Sequence, residues 1–488
     1  MLAGTGSDVG KSVLATALCR IFLQDGYTPA PFKAQNMALN SFATPEGLEI
    51  GRAQAVQAEA AGVPCHTDMN PLLLKPQSDH TSQLVLNGKP IGNRDAYDYF
   101  RKEGREELRT AVCEAFDRLS ARYNPIVMEG AGSLAEINLR DSDLVNMPMA
   151  LHAGADVILV GDIDRGGVFA SVYGSIMLLP PEQRSAVKGI IINKFRGDLR
   201  LFEQGRKMLE ELCGIPVLGV VPYYHDIHIE EEDSVVLASK SAAARQGRIN
   251  VAVVLLRHIS NFTDFNALER DPRVHLFYTN NVEELSKADV IILPGTKSTL
   301  DDLYELRRNG VAQAILQARR RGASVLGICG GYQMMGQQIR DPYHVEGALE
   351  TLPGLGLLPM ITEMLPEKVT RQVRFTAFGG GEPMEGYEIH MGLTRPWNGT
   401  DIEALNCLED GTIDGCLVDE KCMGTYIHGI LDNPAFVDRL LKPHGAKLGA
   451  AQRFDYRAFK EEQYDRLADH VRRYMDIPLL YKILEGKQ

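Results

Sequence analysis

One of the eight cysteines of this chain lies where a nucleophile would be placed. In VLGICGGYQMM (325–335), a short β-branched run ends at Gly327, and Cys329 follows between small residues before an apolar helical stretch begins. A sharp turn from strand to helix exposes such a thiol at the carboxyl edge of a sheet, and the positive end of the helix favours its thiolate form. We therefore predict that Cys329 is a nucleophile.

A histidine that could serve as the base lies farther along the chain. The segment TYIHGILDN (425–433) places His428 at the end of a strand-like run, and folding can bring two such distant side chains together. A histidine at a strand end is often structural, but the turn around Cys329 favours a role as its base. We predict that His428 is this base.

Two backbone positions are candidates for stabilising the negative oxygen of a tetrahedral intermediate. One is the N–H of Gly330, directly after the nucleophile, and the other is the loop LPGTKST (293–299) around Gly295. Backbone N–H groups at such turns form oxyanion holes. A simple strand-to-helix turn would also favour glycine, so this prediction depends on the presence of Cys329.

A second chemical pattern opens the chain. GTGSDVGKS (4–12) is rich in glycine and ends in Gly-Lys-Ser before a helical stretch. Small residues let backbone N–H groups surround phosphates, Lys11 reaches the terminal phosphates, and the Ser12 hydroxyl can ligate Mg²⁺. The loop is a variant, because Thr5 stands at the usual first glycine position, and the strand expected before it is very short or starts outside this sequence. The predicted nucleotide-binding residues are Gly4, Gly6, Gly10, Lys11 and Ser12.

Carboxylates at two later strand ends could hold a cation. VMEGAGS (127–133) puts Glu129 at the end of one strand, and GDIDRGGVFAS (161–171) puts Asp162 and Asp164 at the end of another. Such carboxylates bind Mg²⁺ or the water around it, although acids at these positions also cap helices. The predicted metal ligands are Ser12, Glu129 and Asp162.

The elements that must position these residues form two α/β units. Near-continuous apolar runs, alternating with helical stretches, suit parallel strands covered on both faces. The runs are PIVMEG (125–130), DVILVGDI (156–163), GIIINKF (189–195), VLGVVPY (217–223), NVAVVLL (250–256), DVIILPG (289–295), SVLGIC (324–329) and GTYIHGI (424–430). We predict two doubly wound domains.

A change in composition marks the boundary between them. The acidic EEEDS (230–234) precedes the small and polar SKSAAARQG (239–247), which places the boundary near residue 240. The final segment has apolar residues at helical spacing, and we expect an amphipathic helix that packs on the second domain. The predicted divisions are an N-terminal domain over 1–238, a linker over 239–248, a second domain over 249–450 and a helical tail over 451–488.

Composition limits the classes of protein to which this chain could belong. The 488 residues are 44% apolar and 24% charged, with no apolar run of bilayer length and no secretory signal at the start, so we expect a cytoplasmic protein without membrane contact. The eight cysteines include no CxxC pair, which predicts reduced thiols. The net charge of −12 argues against nucleic-acid binding. The oligomeric state is not indicated.

Several motifs resemble known families. GTGSDVGKS with EGAGS is similar to the dethiobiotin synthetase family of ATP-dependent carboxylate-activating enzymes. FKAQNMALN (32–40), EIGRAQAVQA (49–58) and MNPLLLKPQSD (69–79) resemble the cobyric acid synthase family, glutamine-dependent amidotransferases of cobalamin biosynthesis, over nearly the whole chain. The Cys329 and His428 pair resembles the glutaminase of class I glutamine amidotransferases. The resemblance implies a dethiobiotin synthetase-like domain followed by a class I amidotransferase-like domain.

The resemblance also implies a reaction. ATP, with Mg²⁺, would phosphorylate a corrin side-chain carboxylate, and ammonia would displace the phosphate to give an amide. L-Glutamine would donate the ammonia: Cys329 would attack its carboxamide, His428 would protonate the departing ammonia, and the thioester would be hydrolysed. The corrinoid substrate would be adenosylcobyrinic acid a,c-diamide, amidated at its b, d, e and g carboxylates to adenosylcobyric acid. Ammonia would pass between the domains, and we expect glutaminase activity to depend on occupancy of the synthetase site.

The matching motifs also single out polar residues. Lys33 and Lys75 become the expected partners of substrate carboxylates or phosphate, with neutral hydrogen bonds from Gln35, Asn36 and Gln77. Many class I amidotransferases carry a His-Pro-Glu motif, which is absent after His428, so the group that orients this histidine is open. So are the roles of Asp264 and His390, which lie in motifs that resemble the same family and could shape the glutamine or corrin site. Asp432 lies near His428, but we do not assign it a catalytic role.

Other interpretations stay open at this point. The nearer ones are the related a,c-diamide synthase and a cell-wall amidotransferase with the same type of glutaminase, and FKAQNMALN and MNPLLLKPQSD favour the cobyric acid branch over both. A more distant one is a non-catalytic, ATP-driven switch of the partition-protein kind. A switch would self-associate with nucleotide and would not turn over glutamine, whereas the Cys329 and His428 pair argues for chemistry.

Overall fold

The computed structural model describes residues 1–76, 81–95, 105–230, 232, 237, 240–445 and 454–486. Gln77 therefore lies outside the described residues. Among the helices in these ranges, none combines the length and the apolar character that a bilayer span requires.

The first half contains twelve strands and seven α-helices in its described part. The strands are β1 (Leu2–Gly4), β2 (Ala30–Phe32), β3 (Gln35–Met37), β4 (Ser41–Ala43), β5 (Glu49–Gly51), β6 (Leu72–Pro76), β7 (Thr81–Leu86), β8 (Lys89–Asp95), β9 (Ile126–Met128), β10 (Val157–Asp162), β11 (Val187–Phe195) and β12 (Val217–Pro222). The helices are α1 (Lys11–Gln24), α2 (Arg52–Ala60), α3 (Arg105–Ser120), α4 (Met147–His152), α5 (Val168–Met177), α6 (Pro181–Ser185) and α7 (Glu203–Cys213).

The remaining described residues add thirteen strands and eight α-helices. The strands are β13 (Ile249–Val254), β14 (Val274–Thr279), β15 (Val290–Leu293), β16 (Ser324–Ile328), β17 (Gln338–Arg340), β18 (Thr351–Pro353), β19 (Met360–Ala377), β20 (Met384–Pro396), β21 (Asn406–Leu408), β22 (Ile413–Asp414), β23 (Cys416–Asp419), β24 (Cys422–Thr425) and β25 (Ile427–His428). The helices are α8 (Asn266–Arg270), α9 (Val282–Leu285), α10 (Thr299–Arg308), α11 (Val311–Arg320), α12 (Gly330–Met335), α13 (Pro434–Leu441), α14 (Tyr456–Tyr474) and α15 (Ile477–Leu484).

The first sheet is parallel and is covered on both faces. Its order is β1-β10-β11-β12, and β2 pairs with β9, which adjoins β1 through a parallel bridge between Leu2 and Glu129. Ile158 and Val160 of β10 pack with α1, whereas Leu159 between them packs with α5 on the opposite face. This alternation explains the continuous apolar run of the strand, because a parallel strand buries both of its faces. The short strand before the glycine-rich loop is β1.

The C-terminal helices correct one prediction. Apolar side chains of α14 and α15, including Leu467, Val471 and Ile483, belong to the same buried cluster as Leu14 of α1 and Leu218 of β12. The expected amphipathic segment is thus two helices that pack on the first domain and not on the second. An amphipathic pattern shows that one helix face is buried, but it does not identify the surface that buries it.

The second domain has a mostly parallel sheet of order β14-β13-β15-β16-β24-β23, in which only the β23–β24 pair is antiparallel. Next to it lies a second sheet built around the long antiparallel hairpin of β19 and β20, to which β25 adds. Together the two α/β units confirm the predicted fold class.

The hairpin also contacts the first domain through β4. The Phe42 ring lies 4.6 Å from the Tyr387 ring, centroid to centroid. The Ser41 amide donates a hydrogen bond to Asn261 Oδ1 at 3.0 Å, and Gln372 Nε2 donates to the Ala43 carbonyl at 2.9 Å. These contacts bring the first domain to the edge of the sheet that carries Cys329.

Candidate active sites

Cys329 occupies a strained turn at the end of β16. Its φ of 52° and ψ of −111° lie outside the usual regions for a residue with a side chain, and α12 begins at the next residue. The structure tolerates such strain because neighbouring contacts fix the turn: the Cys329 amide donates to the Thr425 carbonyl at 2.8 Å. A Cβ on Gly331 would lie 1.9 Å from the Leu293 carbonyl oxygen, so only glycine fits behind the turn. The cysteine is 8% exposed and borders a cavity.

His428 borders the same cavity as Cys329, whose thiol donates to the Ile389 carbonyl at 3.5 Å. The group that orients it is Asp264, whose Oδ2 lies 2.7 Å from His428 Nδ1 and whose Oδ1 accepts the Gly429 amide at 3.0 Å. Burial opposes protonation of the imidazole, but the Asp264 carboxylate and the Cys329 thiolate outweigh it and raise the pKa of His428 to about 10. The Asp264 carboxylate therefore both orients the imidazole and stabilises its protonated form beside the cavity that Cys329 lines.

The two predicted oxyanion positions lie next to this pair. A Cβ on Gly295 would be 3.1 Å from His428 Cε1, and a Cβ on Gly330 would be 3.1 Å from the Thr296 amide nitrogen. Gly330 is the first residue of α12, so its N–H has no acceptor within the helix. The structure thus places Gly330 directly after the thiol and Gly295 beside the imidazole.

Burial keeps the side chains of Asp432 and His390 uncharged at neutral pH. Burial raises the pKa of the Asp432 carboxyl to about 8, so it is neutral at neutral pH. His390 lines the cavity and stacks on Tyr426, and its Nδ1 lies 2.9 Å from the Gly392 carbonyl oxygen. Since its partner is a carbonyl, Nδ1 carries the proton and donates. Burial lowers the pKa of His390 to about 3 and keeps it neutral.

Charged side chains form the rest of this cavity's lining. Lys297 and Lys368 come from the second domain, whereas Lys75 comes from β6 of the first. Glu49 binds Lys75 at 2.7 Å and also pairs with Lys368. Burial opposes ionisation of Glu49, but the two ammonium groups outweigh it and lower the pKa of this carboxyl. Lys75, predicted as a partner of the acceptor or phosphate, is thus beside Cys329.

Glu346 lies on the same cavity wall as Lys297. Its Oε2 accepts the Thr299 amide at 2.6 Å. Burial raises the pKa of Glu346, although the Lys297 ammonium opposes this shift. Burial and the ammonium groups of Lys368 and Lys75 lower the pKa of Lys297. Burial therefore moves both of these groups toward their uncharged forms, and they share one small cavity with Lys75 and Lys368.

The glycine-rich loop forms the second site, between β1 and α1. Gly10 has a φ of 97°, and a Cβ there would lie 2.1 Å from Asn193 Nδ2, so this position requires glycine. A Cβ on Gly4 would be 2.8 Å from Lys11 Nζ, whereas Gly6 has open space around it. Lys11 Nζ donates to the Gly6 and Gly132 carbonyls at 2.9 and 3.1 Å, and burial lowers its pKa to about 8.

Glu129 is the centre of this second site. Its Oε1 accepts hydrogen bonds from Ser12 Oγ at 2.8 Å and from Lys33 Nζ at 2.9 Å, and its Oε2 accepts from Gln57 Nε2 at 2.8 Å. Burial would raise the pKa of Glu129, but Lys33 and these hydrogen bonds lower it, so the carboxylate is charged. A hydroxyl and a carboxylate are the hard oxygen ligands that Mg²⁺ accepts beside phosphates, so Ser12 and Glu129 fit this ion.

Asp162 does not join them. Its Oδ2 lies 3.0 Å from Lys194 Nζ, and its Oδ1 accepts the Asp164 amide at 2.8 Å. Among the residues that the structure describes, no three His, Cys, Asp or Glu side chains cluster as a metal site. The structure therefore brings Ser12 and Glu129 together and pairs Asp162 with a lysine instead.

For several residues of both sites, the sequence did not indicate a role or a partner. Asp264 had a motif but no indicated partner, because 164 residues separate it from His428. Asn36, a predicted donor, contacts Gln54 and Glu232 at 3.1 and 2.7 Å. Glu49 and Gln57 lie within EIGRAQAVQA and Lys297 lies within LPGTKST, but no role was predicted for these three residues or for Glu346 and Lys368.

Two family descriptions match the chain, one for each site. Residues 1–236 match the CobQ/CobB/MinD/ParA nucleotide binding domain. Residues 250–436 match the CobB/CobQ-like glutamine amidotransferase domain. The nucleotide-binding match includes the glycine-rich loop, and the amidotransferase match includes Cys329, His428 and Asp264.

Curated relatives are similar along their whole length. A cobyric acid synthase of Bacteroides fragilis is 74% identical over 484 residues, which is 99% of this chain and 98% of that protein. One of Phocaeicola vulgatus is 73% identical over 486 residues, covering 100% of this chain and 98% of the relative. One of Parabacteroides distasonis is 57% identical over 489 aligned positions, with the same coverage of 100% and 98%.

Proposed function

The chain belongs to the cobyric acid synthase family, and we propose that its two sites divide the reaction of that family between them. It is accordingly a glutamine-dependent amidoligase of cobalamin biosynthesis. We assign to it the ATP-dependent amidation of the b, d, e and g carboxylates of adenosylcobyrinic acid a,c-diamide, which gives adenosylcobyric acid.

The glycine-rich loop site would activate the carboxylate. The carboxylate oxygen attacks the terminal phosphorus of ATP, ADP leaves, and an acyl phosphate forms. Lys11 would neutralise charge on the transferring phosphoryl group, and Lys33, which binds Glu129, would contact the acceptor carboxylate. Ser12 and Glu129 would hold Mg²⁺, which offsets phosphate charge when bound. Ammonia then attacks the acyl carbon and phosphate leaves, which completes the amide.

The second site would release that ammonia. Cys329 Sγ attacks the carboxamide carbon of glutamine, and the Gly330 N–H and the Gly295 loop stabilise the oxyanion. His428 donates its proton to the departing nitrogen, Asp264 holds the imidazole in position, and water hydrolyses the remaining thioester to glutamate. Ammonia would then pass from this site to the first domain. The enzyme would work in the cytoplasm.

The observation that carries this proposal is the Cys329, His428 and Asp264 arrangement in a chain that also holds a loop for nucleotide phosphates. A non-catalytic switch would not require a strained thiol beside an oriented imidazole. The full-length identity to cobyric acid synthases supports this acceptor over that of the a,c-diamide synthase or of a cell-wall amidotransferase.

The test compares two nitrogen sources with the corrinoid a,c-diamide and ATP. Cys329→Ala should abolish glutamine-dependent amide formation and keep ammonia-dependent formation, because free ammonia bypasses the thiol. Lys11→Ala should abolish both, because no acyl phosphate forms. Glutamine-driven amidation by Cys329→Ala would overturn the assignment of the thiol, and nucleotide-dependent self-association without any amide would support the switch.

A further inference from the structure

The wall of the glutaminase cavity contains a side chain from the other domain. Lys75, in β6 of the first domain, is 5% exposed and lines the cavity with Cys329 and His428. Its ammonium group donates to Ser41 Oγ at 2.9 Å and to Glu49 Oε1 at 2.7 Å. Lys33, the other lysine that the motifs single out, binds Glu129 in the nucleotide site. The two lysines therefore serve different sites.

Lys75 has bonding capacity left for a ligand. A lysine ammonium carries three N–H donors, and Ser41 and Glu49 accept two of them among the described residues. Lys368 of β19 is held on the other oxygen of the Glu49 carboxylate. One carboxylate thus fixes two ammonium groups on the cavity wall, and the surplus positive charge favours an anionic group in the cavity.

The cavity also offers a partner for a cation. Glu346 lines it from the second domain, and its carboxylate is fixed by the Thr299 amide. Glutamine has a carboxamide at one end and a zwitterion, one carboxylate and one ammonium group, at the other. A cavity with a thiol, two lysines on one carboxylate and a separate carboxylate is complementary to all three groups.

We propose that Lys75 binds the α-carboxylate of glutamine, so that the first domain completes the glutamine site of the second. Glu49 is then a positioning residue, which holds Lys75 and Lys368 at the required separation. The inference rests on the proposed function, because it requires glutamine as the ligand of the Cys329 cavity. Its consequence is that glutamine is bound productively only where the two domains are docked.

The test uses the full chain and the variants Lys75→Met and Lys33→Met. For Lys75→Met we expect the KM for glutamine, measured by glutamate release, to rise about 10- to 100-fold, which is the usual loss for a hydrogen bond to a charged group. Ammonia-dependent amide formation should stay within about twofold of the unmodified chain. Lys33→Met should lose amide formation from both nitrogen sources, because it alters the nucleotide site. Lys75→Arg, which keeps the charge, should recover part of the glutamine affinity.

Two results would overturn the inference. One is an unchanged KM for glutamine in Lys75→Met, and the other is an equal loss of ammonia-dependent synthesis, which would return Lys75 to the acceptor site. Should Lys75→Met fail to fold, Lys75→Gln retains donors for Glu49 and Ser41 without the charge, and the same rise in KM is expected. Failure of the proposed function is distinct, because the unmodified chain would then form no amide from either nitrogen source.

Discussion

Replacing Asp264 by asparagine tests the electrostatics of the glutaminase site with little change in shape. Both side chains of the Asp264 and His428 pair are almost fully buried, with exposures of 2% and 1%, and the contact distance is 2.7 Å. Asparagine keeps an oxygen for the Gly429 amide but presents no negative charge to Nδ1. An amide NH₂ facing Nδ1 would also favour the imidazole tautomer that cannot accept the thiol proton.

The size of the effect follows from this geometry. A buried hydrogen bond to a charged partner contributes about 1.5–3 kcal/mol, so glutaminase kcat/KM should fall about 10- to 150-fold. The pKa of His428 is raised to about 10, because the Asp264 carboxylate and the Cys329 thiolate together outweigh burial. Removing one adjacent opposite charge lowers such a pKa by about 1–3 units. The alkaline limb of the pH profile should therefore move from near pH 10 to between about 7 and 9.

The assay is glutamate release from pH 5 to 11, with ammonia-dependent synthesis as the measure of an intact first domain. Asp432→Asn is the control, since Asp432 is a carboxyl four residues after His428 in the chain and is neutral at neutral pH. At pH 7 it should retain glutaminase activity within about threefold. A variant Asp264→Asn with unchanged kcat/KM and an unchanged pH profile would refute the electrostatic argument.

Two further predictions concern the first domain. Glu129→Gln should reduce amide formation from both nitrogen sources at least 100-fold and lower the free energy of unfolding by about 3 kcal/mol, because it leaves the buried Lys33 ammonium without its carboxylate; normal synthesis with ammonia would contradict the role of Glu129. Leu467→Ala, at a site in α14 that is 1% exposed, should cost about 3 kcal/mol in urea unfolding. Leu484→Ala, at a site 45% exposed, should cost less than about 0.5 kcal/mol, and equal effects would contradict the packing of α14 on the first sheet.

The parallel strands were the most predictable part of the fold. The run 189–195 lies within Val187–Phe195, and 156–163 encloses Val157–Asp162, because a strand buried on both faces needs apolar residues throughout. The hairpin of β19 and β20 was missed, since its exposed charged residues interrupt any apolar run. The strand predicted over 424–430 is two strands in different sheets, and a break of one residue leaves no mark in composition.

The active-site residues also fall into two groups, those that local sequence patterns indicated and those whose pairing depends on distant segments. The turn at Cys329 and the loop at Lys11 have local signals, because glycines and a flanking helix are required within a few positions. Pairings such as Asp264 with His428, or Lys75 with Lys368 through Glu49, depend on the docking of distant segments. Hydrophobic spacing contains no information on such docking, so a motif could single out Lys75 without indicating that it lines the Cys329 cavity.

The return of the final helices to the first sheet affects how the protein is made. On the ribosome, the first domain emerges before the second, yet the apolar surface around Leu14 and Leu218 is completed only by residues translated after the amidotransferase domain. That face of the nascent nucleotide-binding domain therefore stays exposed until the whole amidotransferase domain has been synthesised. A gene divided at the boundary between the domains would encode a first domain without the helices α14 and α15 that complete its core. To express the two domains as separate chains, these helices would have to be joined to the first domain.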